Sequence, residues 1–178
     1  EVKEQFDVTY TDFIIQACGH ALKKHPRMNS SLEGKAIQQH TDINVGVAVA
    51  LKEGLIVPVL KNVDQKSLKS LAEEATILAD KARKNQLKIE EVSGGTFTVS
   101  NLGMFGIDEL HAIINPPQAA ILATGTAGER ATAVDGEVVV RRMMTATLSA
   151  DHRAVDGVEA SAFLRRFRDL LEAPGELS

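Results

Sequence analysis

The stretch LSADHRAVDG, Leu148–Gly157, lies between the apolar-rich run EVVVRRMMTATLSA and the run VEASAFLRRFRDLLEAP. The first run reads as a strand. In the second, Ala162, Phe163, Phe167, Leu170 and Leu171 fall on one face of a helix. The stretch is therefore a corner between strand and helix, a place where a rigid scaffold presents side chains. It carries Asp151, His152, Arg153 and Asp156, and Gly157 lets the chain turn after them. At this point His152 has three open readings: a general base, a metal ligand, or a satisfied histidine at a strand end. Asp156 has two, orienting the imidazole and its loop or pairing with an arginine.

Working outward, Phe13, Ile14, Ala17, Cys18, Ala21 and Leu22 form one apolar helical face, with Thr11 as the expected N-cap and Pro26 as the stop. A polar loop, RMNSSLEG, is expected next. INVGVAVAL reads as a strand, and GLIVPVL as a second whose Pro58 argues for an edge or a bulge. Ser67 opens a helix on which Leu68, Leu71, Ala75, Leu78 and Ala82 repeat along one face. SGGTFTVSNLGMFG gives a turn, a strand over 96–100 and a Gly-rich loop. NPPQAAILATGTA enters a further strand through two prolines, and VDGE marks a hairpin turn. The order α, β, β, α, β, β, β, α predicts an α/β (α+β) mixed β-sheet with flanking helices rather than a doubly wound parallel sheet.

The 178 residues suit one compact domain. Lys and Arg number 20 against 24 Asp and Glu, with no basic block, which argues against nucleic-acid binding. No apolar run approaches the ~18 residues of a membrane span. The polar start EVKEQFDVTYTD has no signal-peptide pattern, so secretion is not expected. Cys18 is the single cysteine and reads as a small buried hydrophobe in a helix. A metal is not expected, because His20, His25, His40 and His111 show no ligand spacing with His152. A serine hydrolase needs a nucleophile elbow such as Gly-x-Ser-x-Gly, and the chain has none. Ser100 ends a strand and enters a Gly loop, open to use as a nucleophile or as a hydroxyl donor.

The combination of blocks resembles one family closely. SADHRAVDG is similar to the His-x-x-x-Asp-Gly signature of the dihydrolipoamide acyltransferases, core subunits of 2-oxo acid dehydrogenase complexes. GGTFTVSNLGMFGI, NPPQAAILATG and GLIVPVLKNVDQKSL resemble three further blocks of that family, and their positions along the chain follow its order. The chloramphenicol acetyltransferases share the fold and the histidine motif but not the other blocks.

The resemblance implies a CoA-dependent acyltransferase fold and a set of roles. His152 takes the position of the general base, Asp156 that of its partner carboxylate, and Ser100 that of the hydroxyl stabilising the oxyanion. Asn101 and Gly125 fall where loops of the family approach CoA. It implies acyl transfer between the thiols of dihydrolipoamide and CoA, without a metal or a covalent enzyme intermediate, at a channel shared by neighbouring subunits. SNLGMFGI and INPPQAAILA are most similar to the acetyl-transferring branch, that of pyruvate or acetoin complexes; succinyl and branched-chain transfer are the alternatives, as is a catalytically silent scaffold subunit. The expected assembly is a homotrimer built into a 24-mer or 60-mer core. Decarboxylase and dihydrolipoamide dehydrogenase partners would be held through domains outside 1–178. The resemblance presents 1–178 as a catalytic domain without its first helix and strand, and without the lipoyl and peripheral-subunit-binding domains. It also implies a bacterial cytoplasmic or mitochondrial-matrix setting.

Overall fold

The computed structural model describes residues 8–177. The first helix, α1 (Tyr10–Lys24), is capped by Thr9, not by the expected Thr11. Asp12 stands three residues after Thr9. Its carboxylate accepts from the Thr9 N–H and hydroxyl, each at 2.7 Å, so the two residues form a reciprocal capping box. Thr11 is left inside the helix with a free hydroxyl to place elsewhere. Lys23 and Lys24 lie in the last turn, where the helix dipole favours cations.

The expected loop RMNSSLEG contains instead a strand, β1 (Ser30–Glu33), paired in a hairpin with β2 (Ala36–Gln39). Its polar composition hid the pairing, and Gly34 supplies the positive φ at the turn. The run INVGVAVAL divides into β3 (Val45–Val47) and β4 (Val49–Ala50). GLIVPVL divides at Pro58 into β5 (Leu55–Ile56) and β6 (Val59–Leu60). The carbonyl of Pro58 still accepts from the Val47 N–H at 2.9 Å, so the proline sits at the sheet edge that its missing donor requires.

Helix α2 (Leu68–Arg83) is capped by Ser67 as expected and buries Leu71, Leu78 and Ala82. After it come β7 (Phe97–Asn101), β8 (Ala120–Thr124), β9 (Gly128–Val134), β10 (Glu137–Met143) and β11 (Ala146–Ala150), then α3 (Gly157–Glu172). Asp135 and Gly136 both take left-handed φ between β9 and β10, the tight hairpin turn that VDGE signals. The long valine run does not continue unbroken into β11; the ladder stops at Met143 and resumes at Ala146.

Strands β11, β8, β7, β3 and β6 form a five-stranded mixed sheet in that order. β3, β7 and β8 run parallel, and β6 and β11 close the two edges antiparallel. The register divides the side chains between two faces. Val45, Phe97, Val99, Ala120 and Leu122 point to one, and there they meet Ile14, Ala17, Cys18, Phe163 and Phe167 of α1 and α3 in the main core. The rings of Phe97 and Phe163 lie 5.6 Å apart at its centre. Thr98, Ser100, Ile121, Ala123, Thr147 and Ser149 point to the opposite face, on which no α-helix of the described residues packs.

Candidate active site

The corner that opens with Asp151 is built from the backbone first. The Asp151 N–H donates to the Ala119 carbonyl at 2.8 Å and extends the ladder one step past β11. Ala154 and Val155 then both donate back to the Asp151 carbonyl, at 2.9 and 3.0 Å, and their side chains are buried. These two apolar anchors hold the turn, and His152 stands exposed on its outside. Its imidazole has no hydrogen-bond partner among the described residues.

The acidic neighbours of His152 are already engaged. Asp151 receives Arg153 at 2.6 Å through Nη2 and at 2.9 Å through Nε. That guanidinium holds the Asp151 carboxyl down at about 2. Asp156 is the N-cap of α3: its Oδ1 accepts from the N–H groups of Val158 and Glu159 at 3.0 and 2.9 Å. The Glu159 N–H is the main reason its carboxyl lies below the usual range, and the charges of Arg27 and His152 add to the effect. A strand-to-helix corner needs a cap, and Asp156 supplies it. The first turn of α3 is tied to the end of α1 as well, with His25 Nδ1 3.2 Å from Glu159 Oε1 and the His25 ring edge-on to Phe163.

Ser100 sits elsewhere. It is half-buried at the end of β7, on the face opposite the main core, in one row with Ala123 and Thr147. Its hydroxyl also has no partner among the described residues. The row fixes how far it is from His152. With residues about 3.3 Å apart along a strand and strands about 4.8 Å apart, Ser100 lies about 14 Å from Ala150. His152 lies beyond Ala150, at the other end of the sheet. Within one chain the two side chains cannot meet, so a single chain holds no Ser100-His152-Asp156 nucleophilic triad.

The two loop residues are placed by the chain's own needs. Asn101 accepts from the Gly103 N–H at 2.9 Å and donates to Thr11 Oγ1 at 3.0 Å. Gly125 lies under the loop that follows Gly103: a Cβ there would stand 1.9 Å from the Asp108 carbonyl oxygen. That loop is clamped by two threonines that sequence reading did not single out. Thr126 donates through its hydroxyl to the carbonyls of Gly103 and Ile107, at 3.2 and 3.1 Å, and Thr147 donates to that of Leu110. Their only sequence signal is a hydroxyl residue beside a Gly-rich loop.

Among the described residues no group of three or more His, Cys, Asp or Glu side chains is arranged to hold a metal ion. A cavity of about 600 Å³ lies between α1, α3 and the β10–β11 junction, lined by Tyr10, Phe13, Met143, Phe167 and Leu171 among others. Neither Ser100 nor His152 reaches it.

Residues 1–178 match the family described as 2-oxoacid dehydrogenases acyltransferase (catalytic domain). Over 167 residues, 94% of this chain, the sequence is 43% identical to the dihydrolipoyllysine-residue acetyltransferase component of the pyruvate dehydrogenase complex of Rickettsia felis. Over 174 residues, 97% of this chain, it is also 43% identical to the lipoamide acyltransferase component of the branched-chain alpha-keto acid dehydrogenase complex of Bacillus subtilis. The chain spans 40% and 41% of the lengths of these two relatives.

Two solved structures superpose with a TM-score of 0.91. The cubic core of a pyruvate dehydrogenase multienzyme complex is 39% identical, with 96% of this chain and 71% of that one covered. Dihydrolipoamide acetyltransferase of Azotobacter vinelandii is 38% identical, with 98% and 73% covered. The latter was studied for the role of a serine, a histidine and an asparagine in its catalytic mechanism. A chloramphenicol acetyltransferase, 15% identical with 92% of this chain and 78% of that one covered, shares the fold at a TM-score of 0.57.

Proposed function

The chain belongs to the 2-oxoacid dehydrogenase acyltransferase catalytic-domain family, and from that premise we propose that it transfers an acyl group, acetyl, between the thiols of dihydrolipoamide and CoA. His152 is the general base and Ser100 the oxyanion donor. The separations of the serine, histidine and asparagine studied in the Azotobacter protein equal those of Ser100, His152 and Asp156 here, which supports the assignment. The third position bears on Asp156. An asparagine carries no titrating proton, so a role common to both proteins is geometric, and capping α3 is such a role.

The chemistry follows from the groups. A thiol of pKa ~8.5 is a poor nucleophile until it is deprotonated. The His152 imidazole, on an exposed corner, is placed to take that proton. Attack on the thioester carbonyl places charge on oxygen, and the Ser100 hydroxyl, with no partner among the described residues, can donate to it. The imidazolium then returns its proton to the departing thiol. Thiolate and thioester exchange without a metal and without an acyl-enzyme.

The observation that carries this reading is the separation of Ser100 from His152 in one chain, while neither side chain has a hydrogen-bond partner among the described residues. The site is completed by a second copy, which brings its His152 to this Ser100. Two features suit such an assembly. One face of the β9–β10 hairpin exposes Val138 and Val140, at 80% and 66%, and a hairpin alone is marginal in water. The open edge of β11 is likewise half-exposed along its length. The resulting homotrimer would be the unit of a 24-mer or 60-mer core. Decarboxylase, dihydrolipoamide dehydrogenase and the lipoyl group would be held by domains outside 1–178, in the bacterial cytoplasm or the mitochondrial matrix. The acetyl assignment rests on the stretches SNLGMFGI and INPPQAAILA, since an acetyl and a branched-chain relative are equally identical overall.

The test is transfer to dihydrolipoamide from acetyl-, propionyl- and succinyl-CoA. Acetyl transfer is expected to be fastest and to vanish in His152→Ala with assembly intact. Unchanged transfer in that variant would remove His152 as the base. Absence of any transfer in the assembled wild type would favour a silent scaffold subunit.

A further inference from the structure

We propose that Asn101 is a positioning residue for Ser100 and that Thr11 is its anchor, an inference that rests on Ser100 being the oxyanion donor. The Ser100 hydroxyl has no partner among the described residues to aim it. Its direction is therefore set by the backbone of β7 and by whatever fixes the residue that follows. Asn101 does this from the other face of the strand. The backbone N–H of Gly103 can only donate, so Asn101 presents Oδ1 to it, and this turns Nδ2 toward Thr11 Oγ1 across 90 residues of sequence. Both ends of the amide are thus engaged inside the chain.

Each end of the link is rigid. Thr11 lies in the turn of α1 locked by the Thr9–Asp12 capping box. Gly103 lies against Gly125, and a Cβ at Gly103 would stand 2.8 Å from the Gly125 carbonyl oxygen and 3.1 Å from Asn101 Oδ1. The Leu102 N–H closes the corner on the Thr124 carbonyl at 3.0 Å. Thr11 is free for this work because Thr9, not Thr11, caps the helix. The amide that the resemblance places near CoA thus also braces the start of α1 against the peptide after Ser100.

The experiment is a double-mutant cycle in the full-length, assembled protein, with acetyl-CoA and dihydrolipoamide. Thr11→Val removes the acceptor and Thr11→Ser restores it. Asn101→Ala removes the link from the Asn101 side, where a carboxylate would still accept from the Thr11 hydroxyl, and it serves if Thr11→Val fails to assemble. Thr11→Val is expected to lower kcat about tenfold, since small misplacements at a reacting centre carry such losses. The KM for CoA should not change, and Thr11→Ser should recover kcat. In a Ser100→Ala background Thr11→Val should have no further effect, because it acts through the hydroxyl already removed. An unchanged kcat, a loss confined to KM for CoA, or an equal loss with and without Ser100 would each overturn the positioning role. An unchanged rate in Ser100→Ala alone would overturn the oxyanion assignment beneath it.

Discussion

Gly125→Ala tests whether Gly125 is fixed by the fold or by CoA. A Cβ at this position would meet three backbone atoms: the oxygen of Asp108 at 1.9 Å, its carbon at 2.4 Å and the oxygen of Ile107 at 2.8 Å. Real Cβ atoms stay at least 3.0 Å away, and none of these atoms is the end of a flexible side chain. The loop must retreat by about 1 Å, and overpacking of this kind costs about 1–3 kcal/mol. The retreat strains the bond from the Thr126 N–H to the Ile107 carbonyl, now 2.8 Å, and both hydroxyl bonds of Thr126. In a domain of this size that cost corresponds to a fall in Tm of about 2–12 °C. Thermal unfolding should be followed at fixed protein concentration, because assembly itself shifts Tm. Both kcat and CoA affinity should fall with it, since the displaced loop follows Ser100 and Asn101 directly. An unchanged Tm with only a raised KM for CoA would refute the packing argument and return Gly125 to the role the resemblance gave it.

At Asp156, substitution by Asn keeps an oxygen for the Val158 and Glu159 N–H groups, so thermal unfolding should match the wild type, while Ala should unfold earlier and transfer acetyl more slowly. Loss of all transfer in Asp156→Asn, as in His152→Ala, would show that the carboxylate itself is needed. Arg153→Gln should raise the Asp151 carboxyl from about 2 toward its ordinary 3.8, read by NMR titration. The pair's contribution is present above the unfolded carboxylate value of ~3.9 and is lost as pH falls toward the folded one. An Asp151 titration unmoved by Arg153→Gln would contradict the assignment of its cause.

The parts of the fold legible in the sequence were those with a strong period or a definite turn chemistry. The apolar faces of α1, α2 and α3, the Ser67 cap and the VDG hairpin are of this kind. The strand β1 was hidden because three of its four residues, Ser30, Ser31 and Glu33, are polar and it shows no apolar alternation. Thr9 and Thr11 are chemically equivalent as caps, and only the position of Asp12 three residues after Thr9 decides between them. The motif around His152 was legible as a corner with chemistry in it. That Ser100 lies at the far end of the same sheet was implied by the resemblance, which draws the two side chains of a site from neighbouring subunits, and not by residue pattern, because separation across a sheet depends on strand order and register. The roles of Asn101 and Thr11 depend on a contact between residues 90 apart and were out of reach.

The shared site is tested most directly by mixing two inactive variants. Ser100→Ala keeps His152, and His152→Ala keeps Ser100. Co-assembled from equal amounts at random in a ring of copies, about one site in four joins an intact His152 to an intact Ser100 of its neighbour. The account predicts that acetyl transfer returns to about a quarter of the wild-type rate on co-assembly, with neither variant alone exceeding ~1%. A mixture no more active than its components, in particles shown to contain both chains, would contradict it.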